Sequence, residues 1–362
     1  MDDLRRDVGQ LLWIGFEGTS VDADLERRLR AGEAGAVVLF RRNLPEAAGG
    51  LDVAGLIALD QALHDAGAAS GERLLIAVDQ EGGRVQRVRS PATLWPPMLG
   101  LAGLEPARGE ALARRIGAAM GAELAALGFD IDFAPVLDVH TNEGNPIIGD
   151  RAFGREPEAA ATLALAFADG LGDAGILGCG KHFPGHGDTA QDSHLELPRL
   201  RHDMDRLRRV ELVPFAMAAR RGVPMIMTAH VVFEALDPDL PATLSRRAIG
   251  ELLRGELGYR GVVVSDDLDM KAIADFTGAA DAAVAAIEAG CDVLLLCRDR
   301  DHQEAAREGL IRAGEASASL RARIGGAAAA VRELKRRPEA PRPDPAAVLG
   351  AGDALLAELD GG

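Results

Sequence analysis

Eight short apolar runs, separated mostly by stretches of helical periodicity, constrain this chain more than any other feature. The runs are Gln10–Gly15, Ala36–Phe40, Leu74–Val78, Ile131–Leu137, Leu177–Lys181, Pro224–Ala229, Gly261–Ser265 and Asp292–Cys297. Helical patterns cover Leu51–Ala66, Pro106–Leu127, Glu156–Ala174, His202–Arg221, Ser245–Leu257 and Ala279–Ala289. The runs are mostly continuous rather than alternating, as expected of parallel strands buried on both faces. Eight such alternations predict an α/β fold, a (β/α)8 TIM barrel in a single domain. The competing arrangement, an open doubly wound sheet, would carry G-x-G-x-x-G after its first strand or a G-x-x-x-x-G-K-[ST] loop, and the sequence has neither. No internal repeat of 20–50 residues is visible. Residues 1–337 are assigned to the barrel with its C-terminal helices. Residues 338–362 are assigned to a Pro-rich spacer, Pro338–Pro345, and a short helix, Ala346–Leu359, that docks on the barrel or on a second subunit.

Composition narrows the class. Forty basic against fifty-six acidic side chains leave a net charge of −16, so nucleic acid and anionic membranes are poor partners. An aromatic content of 4% argues against a surface built to stack bases. Three scattered cysteines, Cys179, Cys291 and Cys297, form neither a disulfide framework nor a metal clip and read as buried and inert. No apolar run approaches a membrane span, and the first residues lack the pattern of a secretory leader. The expectation is a soluble cytoplasmic protein in a reducing compartment, a monomer or weak homodimer.

In a barrel of this kind chemistry collects at the C-terminal strand ends, and here the polar residues do so. The third run ends in Asp79-Gln80-Glu81-Gly82-Gly83-Arg84-Val85-Gln86-Arg87. The fourth leads to Asp138, His140, Asn145 and Gly149–Phe153 with Arg151. The fifth ends in Lys181-His182-Phe183-Pro184-Gly185-His186-Gly187-Asp188 and continues to Asp192-Ser193-His194. The sixth ends in His230 and the seventh in Ser265-Asp266-Asp267-Leu268-Asp269. Five of the eight histidines thus follow strand ends. The stretch from Phe183 to Leu197 is long for a βα loop, and such loops tend to carry function. An ordinary solvated loop with chance histidines is the plain alternative.

Two chemistries compete for this cluster. In one, His182, His186, Asp188, Asp192 and His194 ligate a metal, although Pro184 and Gly185 oppose a helical H-x-x-x-H. In the other the groups are organic. Asp192 orients His194 and favours its imidazolium, which delivers a proton to a leaving group, while a carboxylate at another strand end acts as nucleophile. Arg87, Arg151 and Lys181 suit an anionic ligand or forked contacts to sugar hydroxyls.

Lys181–His194, KHFPGHGDTAQDSH, resembles the diagnostic segment of glycoside hydrolase family three, in its bacterial single-domain β-N-acetylglucosaminidase branch. Val78–Arg87 (VDQEGGRVQR), Asp150–Gly154 (DRAFG), Met227–His230 (MTAH), Pro241–Ser245 (PATLS) and Val263–Met270 (VVSDDLDM) fit the same pattern in the same order. The resemblance spans about residues 8–300. It implies a retaining exo-β-N-acetylhexosaminidase that releases terminal N-acetylglucosamine from muropeptides in peptidoglycan recycling. Asp266 would be the nucleophile and His194, partnered by Asp192, the acid/base. Asp79, Arg87, Arg151, Lys181 and His182 would bind the sugar. No cofactor or metal is implied, and the partner is a small carbohydrate. The usual spacing of about 5–5.5 Å between two catalytic carboxylates does not apply where a histidine replaces one of them. A β-glucosidase or an N-acetylglucosaminide phosphorylase of the same family is the near alternative, and a metal-dependent barrel hydrolase the distant one.

Other residues carry humbler expectations. Asp267 caps the helix near Met270 or supports Asp266. Glu81 takes a structural hydrogen-bonding role, His186 braces the loop, and His230 and Asp138 support the site from behind. Trp95 is a candidate for stacking on sugar, whereas Trp13, inside a strand run, reads as core.

Overall fold

The computed structural model describes residues 3–189, 197–339 and 341–360. Eight parallel strands close into a barrel. They are β1 (Leu12–Ile14), β2 (Ala36–Leu39), β3 (Leu75–Val78), β4 (Ile131–Asp132), β5 (Leu177–Phe183), β6 (Met225–Thr228), β7 (Val262–Asp267) and β8 (Val293–Leu296). Each begins inside one of the expected runs. Every strand neighbours its predecessor, and Trp13 of β1, flanked by Leu295 of β8 and Ala36 of β2, closes the ring.

Side chains alternate across each strand. Val38, Leu75, Ala77, Cys179, Met225, Met227, Val262, Val264, Val293 and Leu295 join Trp13 and Phe133 inside the barrel. Val37, Ile76, Val78, Val263, Leu294 and Leu296 pack outward against the helices. This period of two decides where the chemistry goes. Counting on from Ala77, Cys179 and Val264 brings Asp79, Lys181 and Asp266 to the inner face at the C-terminal rim. The opposite mouth is stopped by Val331 and Leu334 of the helix Ala318–Lys335, which belong to the interior cluster.

The structure corrects several boundaries. Gln10 and Leu11 belong to a helix, Asp3–Leu11, not to the first strand. The fourth strand stops at Asp132; Pro135 offers no N–H to a continuing ladder. The helix expected over His202–Arg221 is two helices, Met204–Arg209 and Val213–Arg221, broken at Val210. Pro214 in the first turn of the second has no N–H to extend the first. The Ser245–Leu257 pattern forms a π-wound helix, Arg247–Glu256. The run Ala346–Leu359 is two short helices, Pro345–Val348 and Asp353–Asp360, parted at Gly350, whose φ of +76° belongs to the left-handed region. It docks on its own barrel, where Glu358 pairs with Arg115 of the helix Pro106–Leu127. No described helix is long and apolar enough to cross a membrane.

The helices Pro106–Leu127 and Pro157–Asp173 approach so closely that glycine is required at the crossing. A Cβ on Gly170 would lie 2.0 Å from the carbonyl oxygen of Arg114, and one on Gly117 2.2 Å from that of Phe167. Gly170→Ala should therefore lower stability by about 2 kcal/mol in reversible denaturation, the scale of overpacking in a tight interior. An unchanged unfolding free energy would show that the helices can part at this crossing without cost.

Candidate active site

The rim of the barrel holds a pocket of about 410 Å³. Its walls include Asp79, Glu81, Arg87, Arg151, Lys181 and His182, with Asp266 and Asp267 across from them. Asp79, Arg87, Arg151, Lys181, His182 and Asp266, the described residues expected to hold or attack the sugar, therefore line one cavity.

After β3 the chain turns back on itself as a small antiparallel hairpin, Gln80–Gly82 against Val85–Gln86. Gly82 and Gly83 both hold positive φ at its turn, which glycine does without steric cost. Gln80 ties the base of the hairpin. Its side-chain oxygen accepts from the backbone of Arg87 and Val88, both at 3.0 Å, and its backbone N–H donates to Asp132 at 2.9 Å. Arg84 extends from the tip to the carbonyls of Pro146 and Ile148, each at 3.0 Å. The hairpin thus fixes the loop that carries Arg151.

On this support stands a buried ionic network. Lys181 Nζ lies 2.7 Å from Asp79 Oδ1 and 2.6 Å from Glu81 Oε1. Arg151 grips Glu81 with both arms, at 2.7 and 2.8 Å, and Arg87 approaches Asp79 at 3.5 Å. Burial alone would raise both carboxyls. For Glu81 the charges of Arg151 and Lys181 overcome it and hold the group far below the usual carboxylate range. For Asp79, Lys181 and Arg87 do the same more weakly. Burial likewise opposes the charge on Lys181, but Asp79 and Glu81 more than restore it. Asp79, Glu81, Lys181 and Arg151 are therefore ionised at neutral pH. The role of Glu81 as the bridge between two cations is not specific in the sequence, because its partners lie 70 and 100 positions away. The one available signal is two acids and three bases assigned to neighbouring strand ends.

His182 is held from behind. Its Nδ1 lies 2.7 Å from Asp138 Oδ2, and Asp138 also accepts the backbone N–H groups of His182 and His186, the latter at 2.6 Å. Asp138 is fully buried, which would raise its carboxyl, yet it stays below its ordinary range because His182 and His186 together outweigh the burial. His186 bonds through Nδ1 to Thr189 at 2.7 Å, and its carbonyl accepts from Asn145. Burial pushes its imidazole down to about 4, so it is neutral. His230 is buried between the hydroxyl of Thr243 and the carbonyl of Asp267.

At the end of β7, Asp266 is half-buried in the pocket wall, and one of its oxygens accepts from the N–H of Asp267 at 2.8 Å. Asp267 is spent on the backbone: Oδ1 accepts from Cys297 and Asp269, both at 3.1 Å. Burial, reinforced by Asp269, lifts its carboxyl to about 7. Trp95, by contrast, does not face the pocket. Only 2% exposed, its indole N–H points to Glu123, so a stacking role on sugar is withdrawn; the turn at Gly82–Gly83 packs against this segment and fills its outer face.

Asp192 and His194 lie outside the described residues. The chain leading to them is anchored at Asp188, whose carboxylate accepts from Thr141 and pairs with His202. Beyond them, Pro198 accepts from Val232 and Arg199–Leu200 pairs with Val232–Phe233. Of the five residues in the metal reading, Asp192 and His194 lie outside the described residues, and the side chains of His182, His186 and Asp188 are each directed to a different protein partner. Among the described residues no three His, Cys, Asp or Glu side chains are grouped to hold a metal ion. The pocket also has cations that sequence reasoning does not single out: Arg41, Arg42 and Arg298 at its mouth.

A closed parallel barrel with a buried ionic cradle and a strand-end aspartate in one rim pocket is an enzyme-type site suited to a polar ligand. Comparison with known proteins agrees. The glycosyl hydrolase family 3 N-terminal domain matches residues 3–331. A β-hexosaminidase of Alkalilimnicola ehrlichii is 47% identical over 299 residues, covering 81% of each chain. A family 3 β-N-acetylglucosaminidase from Paenibacillus superposes with a TM-score of 0.84 at 42% identity, over 92% of this chain and 62% of that one. NagZ from Neisseria gonorrhoeae, solved with N-trifluoroacetyl-D-glucosamine, gives 0.74 at 32% identity, over 89% and 98%. The chain belongs to glycosyl hydrolase family 3 and is a glycoside hydrolase.

The raised carboxyl of Asp267 sets the sign of one pH effect. The folded state keeps this proton up to about pH 7, whereas the unfolded chain releases it near 4. Stability associated with this group is complete below about pH 4 and declines as pH rises to 7. Asp267→Asn should remove that decline, gaining roughly 1–3 kcal/mol on the parent between pH 4.5 and pH 8 in denaturant titrations. Parallel pH profiles for the two proteins would refute the assignment.

Proposed function

We propose that this chain is a retaining exo-β-N-acetylhexosaminidase of the cytoplasm that releases terminal N-acetylglucosamine from peptidoglycan fragments. The observation that carries the reading is the placement of Asp266 in one pocket with Asp79, Arg87, Arg151, Lys181 and His182. The names of the relatives above support the hexosaminidase assignment.

The division of labour follows from charge and position. Asp79 and Lys181 offer an acceptor and a donor to adjacent sugar hydroxyls. Arg87 and Arg151 add forked donors, and His182, oriented by Asp138, presents its remaining ring nitrogen to the pocket side. Glu81 keeps both cations charged and in place. Asp266 attacks the anomeric carbon while His194, assisted by Asp192, protonates the leaving oxygen; a glycosyl–Asp266 ester forms and the aglycone departs. His194 then takes a proton from water, which attacks the same carbon, breaks the ester and returns Asp266 as carboxylate. Two displacements retain the β configuration. Arg41, Arg42 and Arg298 at the mouth suit an aglycone that carries carboxylates, as a peptide-bearing fragment does.

A panel of 4-nitrophenyl glycosides, assayed with and without chelator and with and without phosphate, tests this directly. The β-N-acetylglucosaminide should be cleaved at least 100-fold faster than the β-glucoside and be indifferent to chelator, with free N-acetylglucosamine as product. Asp266→Ala should lose at least 10³ in kcat. His194→Ala should lose far less on this activated leaving group than on an alkyl glycoside. Preference for the glucoside, a sugar phosphate product, or loss of activity with chelator would each overturn a named part of the reading.

A further inference from the structure

The segment after the last long helix lies beyond the family match, which ends at residue 331, yet it is bonded into the wall that supports the cradle. Arg342 donates to the carbonyls of Ala125 and Phe129, at 3.2 and 3.1 Å, at the end of the helix Pro106–Leu127. At the far end Glu358 takes both arms of Arg115 at 2.8 Å, and its carbonyl accepts from Arg108. Between these anchors the N–H of Gly350 reaches 2.8 Å into the interior, to Glu123 Oε1.

Glu123 is the junction. Only 2% exposed, it also accepts from the backbone and hydroxyl of Thr93, each at 2.8 Å, and from the indole of Trp95 at 3.3 Å. Gly352 lies flush on the same indole, where a Cβ would come within 2.4 Å of the ring atoms Cζ2 and Cη2. The Thr93–Trp95 segment is in turn knitted to the hairpin of the site. Trp95 N–H donates to Gln86 at 3.0 Å, Gln86 donates to the carbonyl of Thr93 at 2.7 Å, and Gly83 N–H donates to the carbonyl of Trp95 at 2.8 Å. That hairpin carries Glu81 and leads into Arg87.

We propose that the C-terminal segment, through Gly350 and Gly352 acting on Glu123 and Trp95, is a strap that positions the sugar-binding hairpin Gln80–Arg87. Direct contacts run from the strap to Gln86 and Gly83 of the hairpin that carries Glu81, and Glu81 in turn holds Lys181 and Arg151. The described hydrogen bonds of Arg342, Gly350 and Glu358 go to residues between 108 and 130, not to β7. Asp266 and Asp267 hang instead on the backbone of β7 and β8. A loosened strap therefore disturbs the hold on the sugar and spares the nucleophile. Glu123, Trp95, Gly350 and Gly352 are positioning residues in this account.

The inference rests on the sugar-binding reading of the pocket, and the test separates the two. In the full-length protein, Gly352→Val leaves no room for the indole and lifts the strap. KM for 4-nitrophenyl N-acetyl-β-glucosaminide should rise about fivefold or more, with kcat within about twofold of the parent, because ground-state placement of the sugar is lost and the reacting groups are not. Acrylamide should now quench Trp95, while Trp13, inside the barrel, stays dark to it. Adding Trp95→Phe, which deletes the obstructing ring atoms, should bring KM part of the way back. A general structural defect would not be rescued by a second core truncation. Should Gly352→Val fail to accumulate, the double variant Arg342→Ala, Glu358→Ala removes the two polar anchors and should raise KM in the same sense. An unchanged KM with Trp95 exposed to quencher would overturn the strap, as would a Trp95 that stays shielded in Gly352→Val. A silent parent would overturn the sugar reading and the strap with it; an active parent whose variant keeps its KM overturns the strap alone.

Discussion

The bridge made by Glu81 between Lys181 and Arg151 is the interaction on which the rest of the site depends. Two cations side by side in a buried wall repel each other, and each is costly to desolvate. One carboxylate placed within 2.8 Å of both, with Asp79 on the far side of Lys181, turns that repulsion into a closed network. Satisfied in this way, the charges are ordered before any ligand arrives. Groups that need no reorganisation on binding hold a polar ligand at least cost in free energy. Buried ion pairs of this kind are weak devices for stability, so their presence at a strand end points to binding rather than to folding.

Three pieces of the fold deliver those charges. The period of two along β3, β5 and β7 brings Asp79, Lys181 and Asp266 to the inner rim. The hairpin after β3 inserts Glu81 beneath the loop that holds Arg151, and Arg84 clamps that loop by its carbonyls. Asp138, after β4, gathers His182 and the backbone of His186 onto one carboxylate. The chemistry is thus borrowed from neighbouring strands in sequence around the barrel, each contributing one or two groups.

Much of this is legible in the amino-acid sequence. The eight strands announce themselves because burial on both faces keeps most of each run apolar, and the polar clusters at their C-terminal ends stand out against those runs. The short helix Ala23–Arg30 gives no comparable signal, because its exposed face is charged and only Leu25, Arg28 and Leu29 are buried. Pro135 and Pro214 shorten elements whose apolar pattern continues through them, a case of backbone donors overriding side-chain pattern. Within the site, the identity of the lining residues can be read from strand parity, but their pairing cannot. Nothing local links Glu81 to Arg151 or Asp138 to His182; those contacts exist only once the barrel has closed. Trp95 departs from expectation for the same reason, since the carboxylate that claims its indole lies on a helix 28 positions further on.

Trapping the covalent intermediate probes the central claim most directly. A fluorinated N-acetylglucosaminide with a good leaving group, incubated with the protein and followed by peptic digestion and mass spectrometry, should leave one sugar on the peptide that contains Asp266, and none in Asp266→Ala. A label on Asp267, on another strand end, or a catalytically competent enzyme that accumulates no adduct at all would contradict the account.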